Sequence, residues 1–162
     1  MTLTAVQSIV ISGRDLWLAE ATGLMRAYFS RNGLPLPSKV YVSVGATVSR
    51  PASGLSAIGE CFPRRGSSCD GPRVVIDHKV TDAQVVLAVL VHELIHAADD
   101  CVSSHGPWFC SWARVLGLVG DADATQAGPR LHTTLRAMRT QLGAYPVKSP
   151  SYVVLANGAI SA

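Results

Sequence analysis

Two histidines four residues apart bracket a glutamate in the string His92-Glu93-Leu94-Ile95-His96. On a helix, side chains four apart sit one turn above each other on the same face, so both imidazoles can point at one metal ion. Glu93 lies one residue round from that face. Its longer side chain can reach a metal-bound water without becoming a ligand, which is what a general base requires. The chemistry implied is hydrolysis: zinc lowers the pKa of its bound water from about 15.7 toward about 7, and Glu93 takes the proton and hands it to the leaving group. The bland reading is a chance match, or histidines that satisfy hydrogen bonds in a core. Burying a His-Glu-His trio in an otherwise apolar helix is costly unless coordination and hydrogen bonds compensate, and this favours the metal.

A catalytic zinc site commonly takes three protein ligands and leaves one position open. The candidates for the third ligand are Asp99, Asp100, Cys101 and His105. Asp99 and Asp100 follow His96 so closely that a continuing helix would carry them away along its axis, leaving them as solvated helix-end acids or as hydrogen-bond partners of a ligand imidazole. Val102-Ser103-Ser104 offers a break, and His105 precedes Gly106-Pro107, which opens another helix. His105 is therefore the expected third ligand, with an exposed loop histidine as the alternative. The metzincin pattern does not fit, because the Gly and His it requires three and six residues after His96 are Asp99 and Val102.

These residues need elements to position them. Thr81-Asp82-Ala83-Gln84 matches a capping box and predicts the start of the metal helix, whose residues Val85, Val86, Leu87, Val89, Leu90, Val91, Leu94 and Ile95 mark it as central and buried on most sides. Upstream, Ser12 and Asp15 predict a helix to about Arg31, stopped by Asn32-Gly33. Val40, Val42 and Val44 alternate within a predicted strand over 38–49, and 54–77 reads as a hairpin with arms Ser56–Phe62 and Arg73–Asp77. Downstream, Gly106-Pro107 and Gly128-Pro129 each open a helix, the first to about Leu118, the second carrying the stripe Leu131, Leu135, Met138, Leu142 to Gly143. Together these elements make an α+β chain. Residues 1–144 are expected to form a single domain, and 145–162, with two prolines and small terminal residues, a loosely held tail.

Composition narrows the function classes. At 162 residues, 48% hydrophobic and 15% charged, the chain is too apolar for intrinsic disorder, while its longest unbroken apolar run, Val85–Val91, is far short of a membrane span. The N-terminus shows no secretory signal pattern, so a cytoplasmic location and reduced cysteines (Cys61, Cys69, Cys101, Cys110) are expected, although Cys61 and Cys69 can approach each other across the hairpin. The net charge of +3 permits contact with nucleic acid without requiring it. Arg50, Arg64, Arg65 and Arg73 gather near the hairpin, either as a rim for an acidic partner or as a solvated turn. Trp108 and Trp112 share a helix face suited to packing, and His78 and His132 read as surface residues. Tyr28, Tyr41 and Tyr145 are open candidates for stabilising an oxyanion.

The string His92-Glu93-Leu94-Ile95-His96-Ala97 … His105-Gly106-Pro107-Trp108-Phe109, preceded by Gly59-Glu60-Cys61-Phe62 … Arg73-Val74-Val75-Ile76-Asp77, resembles the SprT-like, Spartan-type zinc metallopeptidases over roughly 12–118. The resemblance implies a zincin-like core, a small antiparallel or mixed sheet packed on a central metal-binding helix. It implies Zn²⁺ held by His92, His96 and His105, Glu93 as the catalytic base, and a protein or peptide substrate running beside the hairpin edge. DNA-associated proteins are among the substrates it implies. No cysteine follows Cys110, so the paired CxxC ribbon of many relatives is not expected. The alternative is a non-catalytic, zinc-stabilised binding module that contacts a protein or nucleic acid. A structural zinc site has no need of Glu93 and normally takes a fourth protein ligand. A hydrolase of non-peptide amides is a third reading, since the motif does not name the acyl group.

Overall fold

The computed structural model describes residues 9–48, 57–65, 68–148, 151–154 and 160–161. In chain order these form β1 (Ile9–Ser12), α1 (Gly13–Arg31), β2 (Tyr41–Gly45), β3 (Gly59–Phe62), β4 (Arg73–Asp77), α2 (Ala83–Ala98), α3 (Pro107–Leu116), β5 (Leu118–Val119), β6 (Gln126–Ala127), α4 (Pro129–Leu142), β7 (Ser151–Val154) and β8 (Ile160–Ser161). The fold is α+β.

The main sheet has the order β2-β4-β3, with β2 parallel and β3 antiparallel to the central β4. The expected hairpin pairs Gly59 with Ile76 and Phe62 with Arg73. β3 forms an edge of this sheet. α2 packs on β3 and β4 and is enclosed by α1, α3 and α4. Its residues Val86, Leu87, Leu90, Val91, Leu94, Ile95 and Ala97 are fully buried. An apolar coat around most of a helix makes it the centre of a core, because each buried Leu, Ile or Val contributes about 1.5–3 kcal/mol by leaving water.

The helix boundaries follow local chemistry. Ser12 caps α1 with a full capping box to Asp15, whose other oxygen accepts from the Val44 N–H (2.8 Å) and ties α1 to β2. α2 begins one residue later than the Thr81 box predicts. Asp82 is the N-cap, its Oδ1 accepting from the N–H groups of Gln84 and Val85. A carboxylate reaches two free N–H groups and favours the positive helix end, which outweighs a threonine hydroxyl one position earlier. Gly117, at φ +87, stops α3 just short of the expected Leu118.

Where composition reads a loose tail after residue 144, the structure places packed and paired segments. Tyr145 is buried with its ring edge-on to Trp17 at 4.9 Å, and β7 pairs antiparallel with β1. An aromatic ring and an open strand edge supply the burial and hydrogen bonds that the prolines and small residues conceal.

Candidate metal centre

α2 presents His92 and His96 one turn apart, as their spacing requires, and the chain must then reverse to bring a third ligand back. It does so through a Schellman-type closure: the Cys101 N–H donates to His96 O (2.8 Å) and the Asp100 N–H to Ala97 O (3.3 Å). Asp100 takes the left-handed position (φ +56) where glycine is usual, and Cys101 (φ +60) and Ser104 (φ +46) are also left-handed. The break thus begins at Asp100, ahead of the expected Val102–Ser104. Asp99 Oδ2 accepts from the Ser103 N–H (2.9 Å), and Asp100 Oδ1 accepts from the Arg64 N–H (2.7 Å), fastening the turn to the end of β3. Neither aspartate joins the histidine cluster. The turn delivers His105 to the start of α3, where Gly106 and Pro107 open the helix.

The three imidazoles converge. His105 Nε2 lies 3.1 Å from His92 Nε2 and 3.2 Å from His96 Nε2, and one ligand atom from each histidine falls within 4.8 Å of the others. A tetrahedral ion bound at 2.0–2.1 Å separates its ligand nitrogens by about 3.3 Å, close to the two separations His105 makes with its partners. The three histidines are close enough to bind an ion, and among the described residues they are the one such group. Burial, reinforced by the neighbouring imidazoles, pushes His92 down to about 3 and His96 down to about 4, and burial also lowers His105 against the pull of Asp123. All three are therefore neutral at pH 7, the protonation state that coordination needs.

Two supports of the cluster have roles that the sequence does not announce. Phe109, fully buried on the first turn of α3, touches all three rings, stacked nearly parallel on His96 (centroids 4.5 Å apart), tilted to His92 (4.7 Å) and edge-on to His105 (5.0 Å). Thr125, beside β6, places Oγ1 2.7 Å from His92 Nδ1. With the lone pair of Nε2 facing the cluster, Nδ1–H donates to that hydroxyl and fixes the ring's tautomer and tilt. Thr125 lies in the turn between two strands of two residues each, too short for any periodicity to reveal. Thr125→Val keeps the shape and deletes the acceptor. It is expected to weaken metal binding roughly 10-fold or more, read by chelator competition.

Glu93 is buried, 6% exposed, and points toward β3. Burial, with the charge of Glu60 adding to it, raises its carboxyl to about 8. Glu60 is itself buried and accepts from the Val48 N–H (2.7 Å). β3 can approach only because residue 59 is glycine: a Cβ there would stand 2.5 Å from Val89 Cγ1 and 2.8 Å from Glu93 Oε1. Gly59→Ala is expected to cost about 1–3 kcal/mol in denaturant unfolding and to push Glu93 out of place.

The cluster opens into a cleft of about 660 Å³ lined by Gly59–Phe62 of the edge strand, by Glu93 and the three histidines, and by Asp123–Thr125 opposite. Tyr28, Tyr41 and Tyr145 do not line it; the Tyr28 hydroxyl donates to Leu116 O (2.8 Å), Tyr41 bonds to Asp70, and Tyr145 packs on Trp17. Arg64, Arg65 and Arg73 are exposed, Arg73 lying over the Phe62 ring, while Arg50 falls outside the described residues. Trp108 and Trp112 pack partly buried against the core, and His78 and His132 are exposed. Cys61 meets Cys101 rather than Cys69, because the left-handed turn brings Cys101 against β3. No described helix is long and apolar enough to cross a membrane. Compared with protein-family models, curated proteins and solved structures, the chain matches none.

Proposed function

We propose that this protein is a zinc-dependent endopeptidase with a zincin-like core of the SprT type. The observation that carries the reading is the placement of a buried carboxylate, Glu93, next to three converging imidazoles at the floor of an open cleft walled by a strand edge. Three imidazoles suit zinc. Bound there, zinc supplies a Lewis acid that activates water and polarises a carbonyl.

The chain's own residues do the rest. β3 offers backbone hydrogen-bonding groups to an extended peptide, holding it as an added strand along the cleft. His92, His96 and His105 fix the ion's position, with Thr125 and Phe109 setting their orientation. Glu93 accepts a proton from water on its carboxylate and returns it to the leaving amine. Its surroundings exclude bulk solvent, so the proton stays within reach of the reacting atoms. The exposed arginines beside the hairpin support a substrate among DNA-associated proteins, as the resemblance of the His92–His96 and His105–Phe109 strings also suggests.

The test is cleavage of a DNA-binding protein by the zinc-loaded chain, with and without single-stranded DNA, beside Glu93→Gln. Cleavage by wild type alone, enhanced by DNA, is the expected result. Cleavage indifferent to DNA keeps the peptidase and removes the DNA-associated substrate. A zinc-loaded wild type that cuts neither this protein nor an unfolded one overturns the proposal in favour of a zinc-stabilised binding module.

A further inference from the structure

A second pair of side chains, two thiols, is held in contact beside the histidine cluster. Cys61 Sγ and Cys101 Sγ lie 3.0 Å apart although 40 positions separate them in the chain. Both sulfurs are delivered by anchored backbone. Cys61 sits within β3, opposite Val74 of β4. Cys101 is fixed by the closure of α2, its N–H on His96 O, and the preceding Asp100 is bonded to the Arg64 N–H two residues beyond β3. A covalent S–S bond is about 2.05 Å long, so closure requires a movement of only about 1 Å. Both cysteines are free thiols, partly exposed, and line the cleft, where a small reagent can reach them. Cys110 is directed elsewhere, its thiol donating to His105 O (3.5 Å).

We propose that Cys61 and Cys101 form a dithiol site that closes to a disulfide by exchange with low-molecular-weight disulfides, joining the turn that carries His105 to the edge strand of the cleft. One cysteine, as its thiolate, attacks a sulfur of the small disulfide; the protein–reagent S–S bond forms, the reagent's own S–S bond breaks, and one small thiolate leaves. The second cysteine releases its proton to water and attacks the protein sulfur of that mixed disulfide, expelling the second small thiolate. Two protein thiols are oxidised, and one small disulfide is reduced to two thiols. The cross-link then holds His105 four residues from a covalent anchor, and metal release slows. The inference rests on the cysteine geometry and stands apart from the peptidase reading.

The experiment equilibrates the zinc-loaded full chain in a series of reduced and oxidised glutathione, blocks remaining thiols at acid pH, and maps the unreduced peptides by mass spectrometry. The expected product links Cys61 to Cys101, lighter by two hydrogens, with Cys69 and Cys110 blocked. Oxidation is expected to raise the melting midpoint by roughly 5–10 °C and to slow zinc loss to a chelator severalfold, both effects vanishing in Cys101→Ser. In Cys61→Ser or Cys101→Ser the remaining thiol retains glutathione as a stable mixed disulfide. A Cys61–Cys69 link overturns the proposal. So does glutathione persisting on wild-type Cys61 or Cys101, or both thiols remaining reduced in the most oxidising mixture. Because the link is read by mass, its failure is distinct from a failure to cleave protein.

Discussion

His105→Ala is expected to fold, keep its helices, and bind zinc at least ~100-fold more weakly than wild type. The side chain is exposed on one side and sits in a turn, touching the core only at the edge of Phe109, so its loss leaves α2 and the sheet intact. What it removes is the one nitrogen within 3.2 Å of both other imidazoles. Two histidines one turn apart still offer two ligands, but a bidentate site loses more than an orienting partner does, and orienting partners alone are worth about 10–100-fold. Competition with a chromogenic chelator gives the affinity, and circular dichroism checks the fold. The same variant should lose the zinc-dependent rise in melting temperature, since a ligand stabilises the native state only as far as it binds it. Full zinc affinity in His105→Ala would remove it from the ligand set.

Glu93→Gln should separate binding from chemistry. The amide keeps the volume beside Gly59 and leaves the three imidazoles untouched, so zinc stoichiometry is expected to hold while peptide cleavage falls by about 10²–10⁴-fold. Its effect on the metal-free protein has the opposite sign. In the fold burial raises the Glu93 carboxyl to about 8, whereas an exposed glutamate titrates near 4.5. A raised native pKa means the folded state binds the proton more tightly, so its stabilising contribution is full below about 4.5 and is lost as pH rises through about 8. The glutamine variant has no such loss. Metal-free Glu93→Gln is expected to be more stable than wild type by on the order of 4 kcal/mol at pH 8, the gap closing as pH falls toward 4.5. Urea unfolding at several pH values reads this directly. An active Glu93→Gln would move the general base elsewhere.

How much of this was legible from residue order depends on how locally each feature is determined. His92 and His96 were legible because helical spacing alone puts them on one face, and the apolar run around them specifies the helix. His105 was legible because Gly106-Pro107 marks a helix start within reach. The reversal is less legible: Asp100 and Cys101 both adopt left-handed angles, uncommon for cysteine, and the compensation comes from Arg64, far away in sequence. Thr125 and Phe109 act through contacts whose partners lie 33 and at least 4 positions off, with no periodic signal to announce them. The contact of Cys61 with Cys101 is illegible for the same reason, since nearness along the hairpin points to Cys69. Strand β7 shows the limit of composition, because a tail rich in small residues still folds where an open edge awaits it.

The phenyl ring of Phe109 in contact with all three histidines has a thermodynamic consequence. Imidazoles packed against a buried ring have few rotamers left to lose, His96 stacked on its face above all, so much of their ordering is completed when the protein folds rather than when the ion arrives. Metal capture then carries little conformational penalty, and its calorimetric signature should be dominated by the water shed from the incoming ion. Folding has in effect prepaid the assembly of the site, and a smaller side chain at position 109 would return that entropy to the free protein and show it as a less favourable binding entropy.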